Sequence, residues 1–222
     1  MPDRPRASGR ERTAFQSGPD PRSVAPRDAS PYAPRAVLDA CVLVPAPLRD
    51  ILMRAGQAGL IVPLWSDRIV KEWILAAARH GRDATAEAAA LARTFPDGRV
   101  TPPDGLAQQL HLPDPADCHV LAAAIAGGAQ TIVSYNIRDF PRHALTRFGI
   151  VCRHPDSLLW ELHSHSPEIM AGILEAAREG CADTLNGAPT LRRLLRRLRL
   201  PRLARAATGA AEGNDPMIRR ET

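Results

Sequence analysis

At 222 residues, 45% of them hydrophobic, the chain is long enough for one domain with a buried core and an appendage. Its net charge of +5 is carried by the ends: residues 1–34 sum to +2 and residues 189–222 to +6, which leaves residues 35–188 at −3. No apolar run approaches the ~20 residues of a membrane span, so a spanning role is excluded, and the Pro- and Arg-rich start lacks the apolar segment of a secretory signal.

Residues 1–34 have almost no apolar periodicity and are expected to be a disordered leader, because polar, Pro-rich tracts cannot recover the entropy lost on ordering. Ala36 to Val44 (AVLDACVLV) is a short apolar run of the kind expected for a strand buried on both faces. Asp39 interrupts it. A carboxylate inside such a strand is costly unless it is paired or bound to a metal; a capping or turn role is the alternative if the strand ends at Leu38.

Pro47 to Gly59 has helical spacing at Leu48, Ile51, Leu52 and Ala55, with Pro near the start and Gly at the end. Residues 60–65 are apolar but contain Pro63. Ser66 offers an N-cap, with Asp67 against the positive end of the helix dipole, and a helix is predicted to about His80. Ile69, Trp73, Ala76 and Ala77 form its apolar face. Glu72 lies at the margin of that face, from where a carboxylate can reach inward across the sheet edge; a surface Glu paired with Arg68 or Arg79 is the alternative. Asp83 to Phe95 predicts another Ala-rich helix, Pro96-Asp97-Gly98 a turn, and Val100 to Leu110 an indistinct connection.

The most informative stretch is Leu112 to Pro141, LPDPADCHVLAAAIAGGAQTIVSYNIRDFP. Asp114 and Asp117 stand just before an Ala-rich helix. A Gly-Gly break ends that helix, and the strand QTIVS (130–134) delivers Ser134, Asn136 and Asp139 at its C-terminal end. In a parallel α/β sheet the strand C-termini and the helix N-termini that follow share one edge, where ligands bind, so these acids are expected to converge. One Asp there would be accounted for by capping, but two exceed what capping requires.

Phe148 to Cys152 suggests a helix end and a last short strand, and Pro155 opens a helix to about His163. Pro167 to Gly180 and Thr190 to Leu200 predict two more helices. The second places Leu191, Leu194, Leu195 and Leu198 on one face and five arginines around the other. Such a helix can dock on a protein, touch RNA phosphates or lie on an anionic surface. Residues after Thr208 are expected to be a disordered tail. The four cysteines, Cys41, Cys118, Cys152 and Cys181, show no CxxC spacing; they read as buried reduced thiols in a cytoplasmic protein.

In this order and spacing, an apolar strand with Asp39, a helix carrying Glu72, Asp117 opening an Ala-rich helix and a strand leading to SYNIRDFP resemble the PIN-domain nucleases. That group includes the VapC-type toxin ribonucleases of toxin-antitoxin systems. The resemblance covers about residues 35–160. It implies a PIN-like three-layer α/β/α sandwich with a central parallel sheet, to which residues 161–208 add a C-terminal helical extension and residues 209–222 the tail. It also implies Mg²⁺ or Mn²⁺ held by acids for hydrolysis of RNA phosphodiester bonds. Asp39 matches the first-strand acid, Glu72 the acid of the helix that follows, and Asp117 the acid before the Ala-rich segment, with Asp114 an additional candidate. Asn136 and Asp139 both fit the fourth position. Ser134 is expected to orient a water or the phosphate, and Arg138 and Arg142 to contact the substrate backbone.

The residue types agree with that chemistry, since hard divalent cations take oxygen ligands and several carboxylates gathered without a cation repel one another. The resemblance further implies an RNA substrate, a homodimer, and an antitoxin protein whose segment enters the acidic groove. From another class, a non-catalytic PIN-like module that binds RNA or protein is the alternative. A phosphatase or phosphotransferase is disfavoured, because no Asp-x-Asp pair or Gly-rich phosphate loop is present.

Overall fold

The computed structural model describes residues 33–181 and 189–212. Apart from residues 33 and 34, the expected leader lies outside the described residues, as do residues 213–222 of the expected tail, whereas residues 209–212, expected to be disordered, continue the last helix. In chain order the elements begin with β1 (Arg35–Leu38), α1 (Ala40–Leu43), α2 (Ala46–Gln57), β2 (Val62–Leu64), α3 (Asp67–Arg79) and α4 (Thr85–Thr94). They continue with α5 (Cys118–Ala126), β3 (Thr131–Val133), α6 (Arg142–Leu145), β4 (Val151–Arg153), α7 (Pro155–His165), α8 (Pro167–Glu179), α9 (Leu191–Arg197) and α10 (Pro201–Glu212).

The four strands form one parallel sheet in the order β2-β1-β3-β4, flanked by helices as the α/β/α reading requires. The two central strands are buried throughout except at Arg35, the first residue of β1, which fits their continuous apolar sequences. Pro63 sits in β2, an edge strand, where a missing N–H is tolerated. All four chains leave the sheet at the same edge, so Asp39, Ser66, Ser134 and His154 follow their strands onto one side of the molecule.

The first strand is shorter than its apolar run suggests. Pairing ends at Leu38, opposite Val133, and the Asp39 N–H makes the last ladder bond, to the Val133 carbonyl at 3.1 Å. β3 turns away after Val133, so the remaining apolar residues have no strand to pair with. They satisfy their backbone groups as α1 instead, with Val44 N–H on the Ala40 carbonyl. Asp39 is the residue at this junction. Its side chain does not cap α1.

α3 begins at the predicted cap, where Ser66 Oγ accepts from the Ile69 N–H at 3.4 Å. Its face of Ile69, Trp73 and Ala77 is buried, and the Arg49 guanidinium lies 4.7 Å from the centre of the Trp73 ring. The connection after α4 passes close to β2. Trp65 and Arg99 form an isolated parallel bridge, and a side chain on Gly98 would collide with the Trp65 ring.

The predicted helix over 190–200 stops at Arg197, and a further helix, α10, follows it. Both are built into the core. Leu195, Leu200 and Leu203 are fully buried, and Leu194 and Leu198 nearly so, while Arg192, Arg193, Arg196 and Arg197 are exposed. The buried Asp156 of α7 accepts from the Arg202 and Leu203 N–H groups at the start of α10, each at 3.0 Å. No helix among the described residues is long and apolar enough to cross a membrane.

An acidic cavity at the strand C-termini

A cavity of about 290 Å³ opens at the edge where the strands end. Asp39, Ala40, Cys41 and Val44 line one part of it. Glu72, Leu75, Ala76 and Arg79, successive positions on one face of α3, line another, and Asp117 and Asn136 complete it. Asp39, Glu72, Asp117 and Asn136 thus meet at one place although up to 97 positions of sequence separate them.

Asp39 is buried and fixed by two donors on a single oxygen. Ser134 Oγ donates to Oδ2 at 2.6 Å and Cys41 Sγ donates to the same atom at 3.1 Å. Oδ1 has no hydrogen-bond partner among the described residues. Ser134 is itself fully buried, and its oxygen also accepts from the Asn136 N–H at 2.9 Å, so this hydroxyl ties the first acid to the loop that carries the fourth position. Burial, and then the neighbouring Asp39, push the Cys41 thiol up to about 12, which keeps it a hydrogen-bond donor rather than a thiolate.

Glu72 is held from two sides. Arg68, one turn earlier in α3, donates to Oε1 at 3.2 Å, and His119 Nε2 lies 3.0 Å from the same oxygen. Burial drives the His119 pKa down to about 4, so the ring is neutral near pH 7. A neutral ring at this distance from a carboxylate carries its hydrogen on Nε2, which leaves the buried Nδ1 without a partner among the described residues. Burial also holds the Glu72 carboxyl above the usual carboxylate range, in spite of Arg68.

The two acids before α5 separate into different tasks. The exposed Asp114 accepts from the Ala116 N–H at 2.8 Å and caps the short turn Pro115–Asp117. Asp117 occupies the N-cap position of α5 yet makes no capping bond, and it faces the cavity. Its pKa is pushed up to about 6, first by burial and then by Asp39, Asp114, Asp139 and Glu72. Asp139 therefore acts on Asp117 through charge, although it does not line the cavity; it lies in the turn Ile137–Asp139, with its N–H on the Asn136 carbonyl. Arg138 and Arg142 are exposed on that turn and at the start of α6.

Cys41, expected only as a buried thiol, and His119, to which the sequence assigned no role, both touch the site acids. For Cys41 its place two residues after Asp39 was a usable signal. For His119 no local signal existed, because its role depends on α3 and α5 meeting. Arg79 and the half-exposed Leu75 on the cavity wall follow from the helical spacing of Glu72.

The donor set suits a hard divalent cation, with three carboxylates and one amide around a single cavity and no cationic side chain on the carboxyl of Asp117. It is not a closed cage: among the described residues no three His, Cys, Asp or Glu side chains stand close enough to form a ready-made metal group.

Residues 35–138 match the family model of the PIN domain. The match supports a PIN-domain family, whose members are generally nucleases and typically use divalent metals. No curated protein and no solved structure matches the chain.

Proposed function

We propose, from the PIN-domain match and the acidic cavity together, that this protein is a metal-dependent endoribonuclease that hydrolyses phosphodiester bonds of single-stranded RNA. The observation that carries this reading is the convergence of Asp39, Glu72 and Asp117, from three separate elements, on one cavity, where burial first and then the neighbouring acids push the Asp117 carboxyl up to about 6. Charge of one sign gathered in this way calls for a cation.

Asp39, Glu72 and Asp117 would hold Mg²⁺ or Mn²⁺, with Asn136 or Asp139 completing the set and Asp114 adding negative charge nearby. A bound cation supplies charge neutralisation at the phosphate and a lowered pKa for a coordinated water. The chain's own residues supply orientation. Ser134 and Cys41 hold Asp39 by one oxygen and leave the other open. Arg68 and His119 hold Glu72 at the cavity wall. Arg79, Arg138 and Arg142 offer cationic contacts to the RNA backbone, which the acids alone would repel.

Purified protein should cleave single-stranded RNA in Mg²⁺ or Mn²⁺ and lose that activity in excess chelator, with recovery when the metal is restored. Cleavage that persists in chelator would remove the reading. The hold of Arg68 on Glu72 favours one competing reading, a PIN-like module that binds RNA or protein without cutting. Calorimetry separates the two, since the module requires that millimolar Mn²⁺ produce no binding heat.

The setting we propose is the toxin half of a type II toxin-antitoxin pair, acting in the cytoplasm as a homodimer and silenced by a basic antitoxin segment in the acidic cavity. Sedimentation of the purified protein should give twice the chain mass, and a monomer at all concentrations would sink the dimer. A small adjoining reading frame is the expected genomic neighbour, and its absence would count against the toxin assignment.

A further inference from the structure

α9 ends in a turn whose conformation normally calls for glycine. Arg199 has φ 56°, in the left-handed region. Its N–H bonds the Arg196 carbonyl at 3.0 Å, and the next N–H, of Leu200, reaches back to the Leu195 carbonyl at 2.9 Å. Leu195 and Leu200 are both fully buried. These are the two hydrogen bonds and the apolar contact of a Schellman motif, with Arg199 where glycine is usual. Every other positive-φ residue among the described ones is a glycine: Gly59, Gly81, Gly105, Gly128 and Gly149. Among the described residues Arg199 is thus the one departure from glycine at positive φ.

The departure is tied, through Tyr135, to the loop that carries the cavity residue Asn136. Tyr135, between Ser134 and Asn136, donates its hydroxyl to the Leu198 carbonyl at 2.8 Å, which brings the α9–α10 turn against the loop that closes the site. The Tyr135 ring packs edge-on against His154 at 5.2 Å, and the charge of Arg199 acts on both rings. The Arg199 side chain is exposed and has no hydrogen-bond or ion-pair partner among the described residues.

We infer that Arg199 is a phosphate-binding residue, held in a strained backbone conformation beside Tyr135 to contact an RNA backbone phosphate adjoining the one at the acidic cavity. Residues kept in sparsely populated backbone regions cluster at ligand clamps, and a guanidinium matches phosphate oxygens in bidentate fashion. The inference rests on the RNA reading of the site and adds a contact outside the PIN-matched span of 35–138.

The test is binding of fluorescently labelled oligouridylate in Ca²⁺, measured over a range of salt for wild type, Arg199→Gly and Arg199→Lys, with thermal unfolding of each. Glycine suits the turn, so Arg199→Gly should unfold no earlier than wild type. It should bind RNA about 3- to 10-fold more weakly, with the slope of log affinity on log salt reduced by about 0.7, the value for one lost phosphate contact on a single strand. Arg199→Lys, which keeps the charge, should retain most of the affinity. Unchanged affinity and slope in Arg199→Gly would overturn the inference and leave the nuclease reading standing, as would weaker binding accompanied by a lower Tm and the same slope. Failure of wild type itself to bind would overturn the nuclease reading first and this inference with it.

Discussion

Asp117→Asn should cut RNA cleavage by about 10²- to 10³-fold while making the metal-free protein more stable at neutral pH. The loss follows from removing a carboxylate that would bind the cation. Several kcal/mol of charge stabilisation go with it, and each ~1.4 kcal/mol is about tenfold in rate. The gain follows from the pKa. Asp117 in the folded protein stands at about 6 against an ordinary 3.8, so its ionised form is disfavoured by folding.

The cost is therefore absent below about pH 3.8, grows as pH rises towards about 6, and is fully present above it. The full shift would correspond to about 3 kcal/mol. Asp117 is only half-buried, and solvent screening reduces this to roughly 1 kcal/mol. For a chain of this size that is about 2–4 °C in Tm. Thermal unfolding of both proteins in chelator should show Asp117→Asn ahead above pH 6 and level near pH 4. In saturating Mn²⁺ the order should reverse, because ligand binding to the native state stabilises wild type alone. A variant that still cuts at the wild-type rate, or that is no more stable at any pH, would refute the role given to Asp117.

Asp156→Ala should be among the most destabilising single changes in the protein, at about 2–4 kcal/mol. The carboxylate is buried and receives both the Arg202 and the Leu203 N–H groups, which are donors that α10 cannot satisfy within itself. Truncation leaves them without an acceptor, at ~1–3 kcal/mol for each buried unsatisfied group, and removes a negative charge from the positive end of the helix dipole. Tm should fall by roughly 5–15 °C. Asp156→Asn keeps one oxygen acceptor and should lose about half as much. Because α10 packs on α7 and α9, loss of this cap should also loosen the turn that carries Arg199. A change of under ~0.5 kcal/mol in Asp156→Ala would mean that α10 docks by its apolar face, Leu203 and Ala204, alone.

Glu72 and Asp39 show what could be read locally. A carboxylate within a nine-residue apolar run demands a partner or a ligand whatever the fold, and Asp39 has both Ser134 and Cys41 on it. Helical spacing placed Glu72 at the border of the buried face of α3, where it is found half-buried with Arg68 one turn away. The end of β1 at Leu38 could not be read in the same way. Nothing in AVLDACVLV says that the neighbouring strand stops at Val133, and strand length depends on the partner.

α10 shows the same limit more sharply. Leu200-Pro201 reads as a stop, although Pro is also favoured in the first turn of a helix. No Ser, Thr, Asp or Asn precedes it to mark a start, because its cap is the side chain of Asp156, 46 residues earlier.

Residue spacing marked the two ends of the helix-strand unit at 112–141, since periodicity and charge are properties of neighbouring positions, and the resemblance carried by those motifs implied the class of the fold. Which acid of a pair faces the cavity was decided only in three dimensions. Asp114 turns to the Ala116 N–H, while Asp117 meets Asp39 and Glu72. The deciding bonds join residues such as Asp39 and Ser134, 95 positions apart, and a contact over that distance exists only once the sheet has assembled.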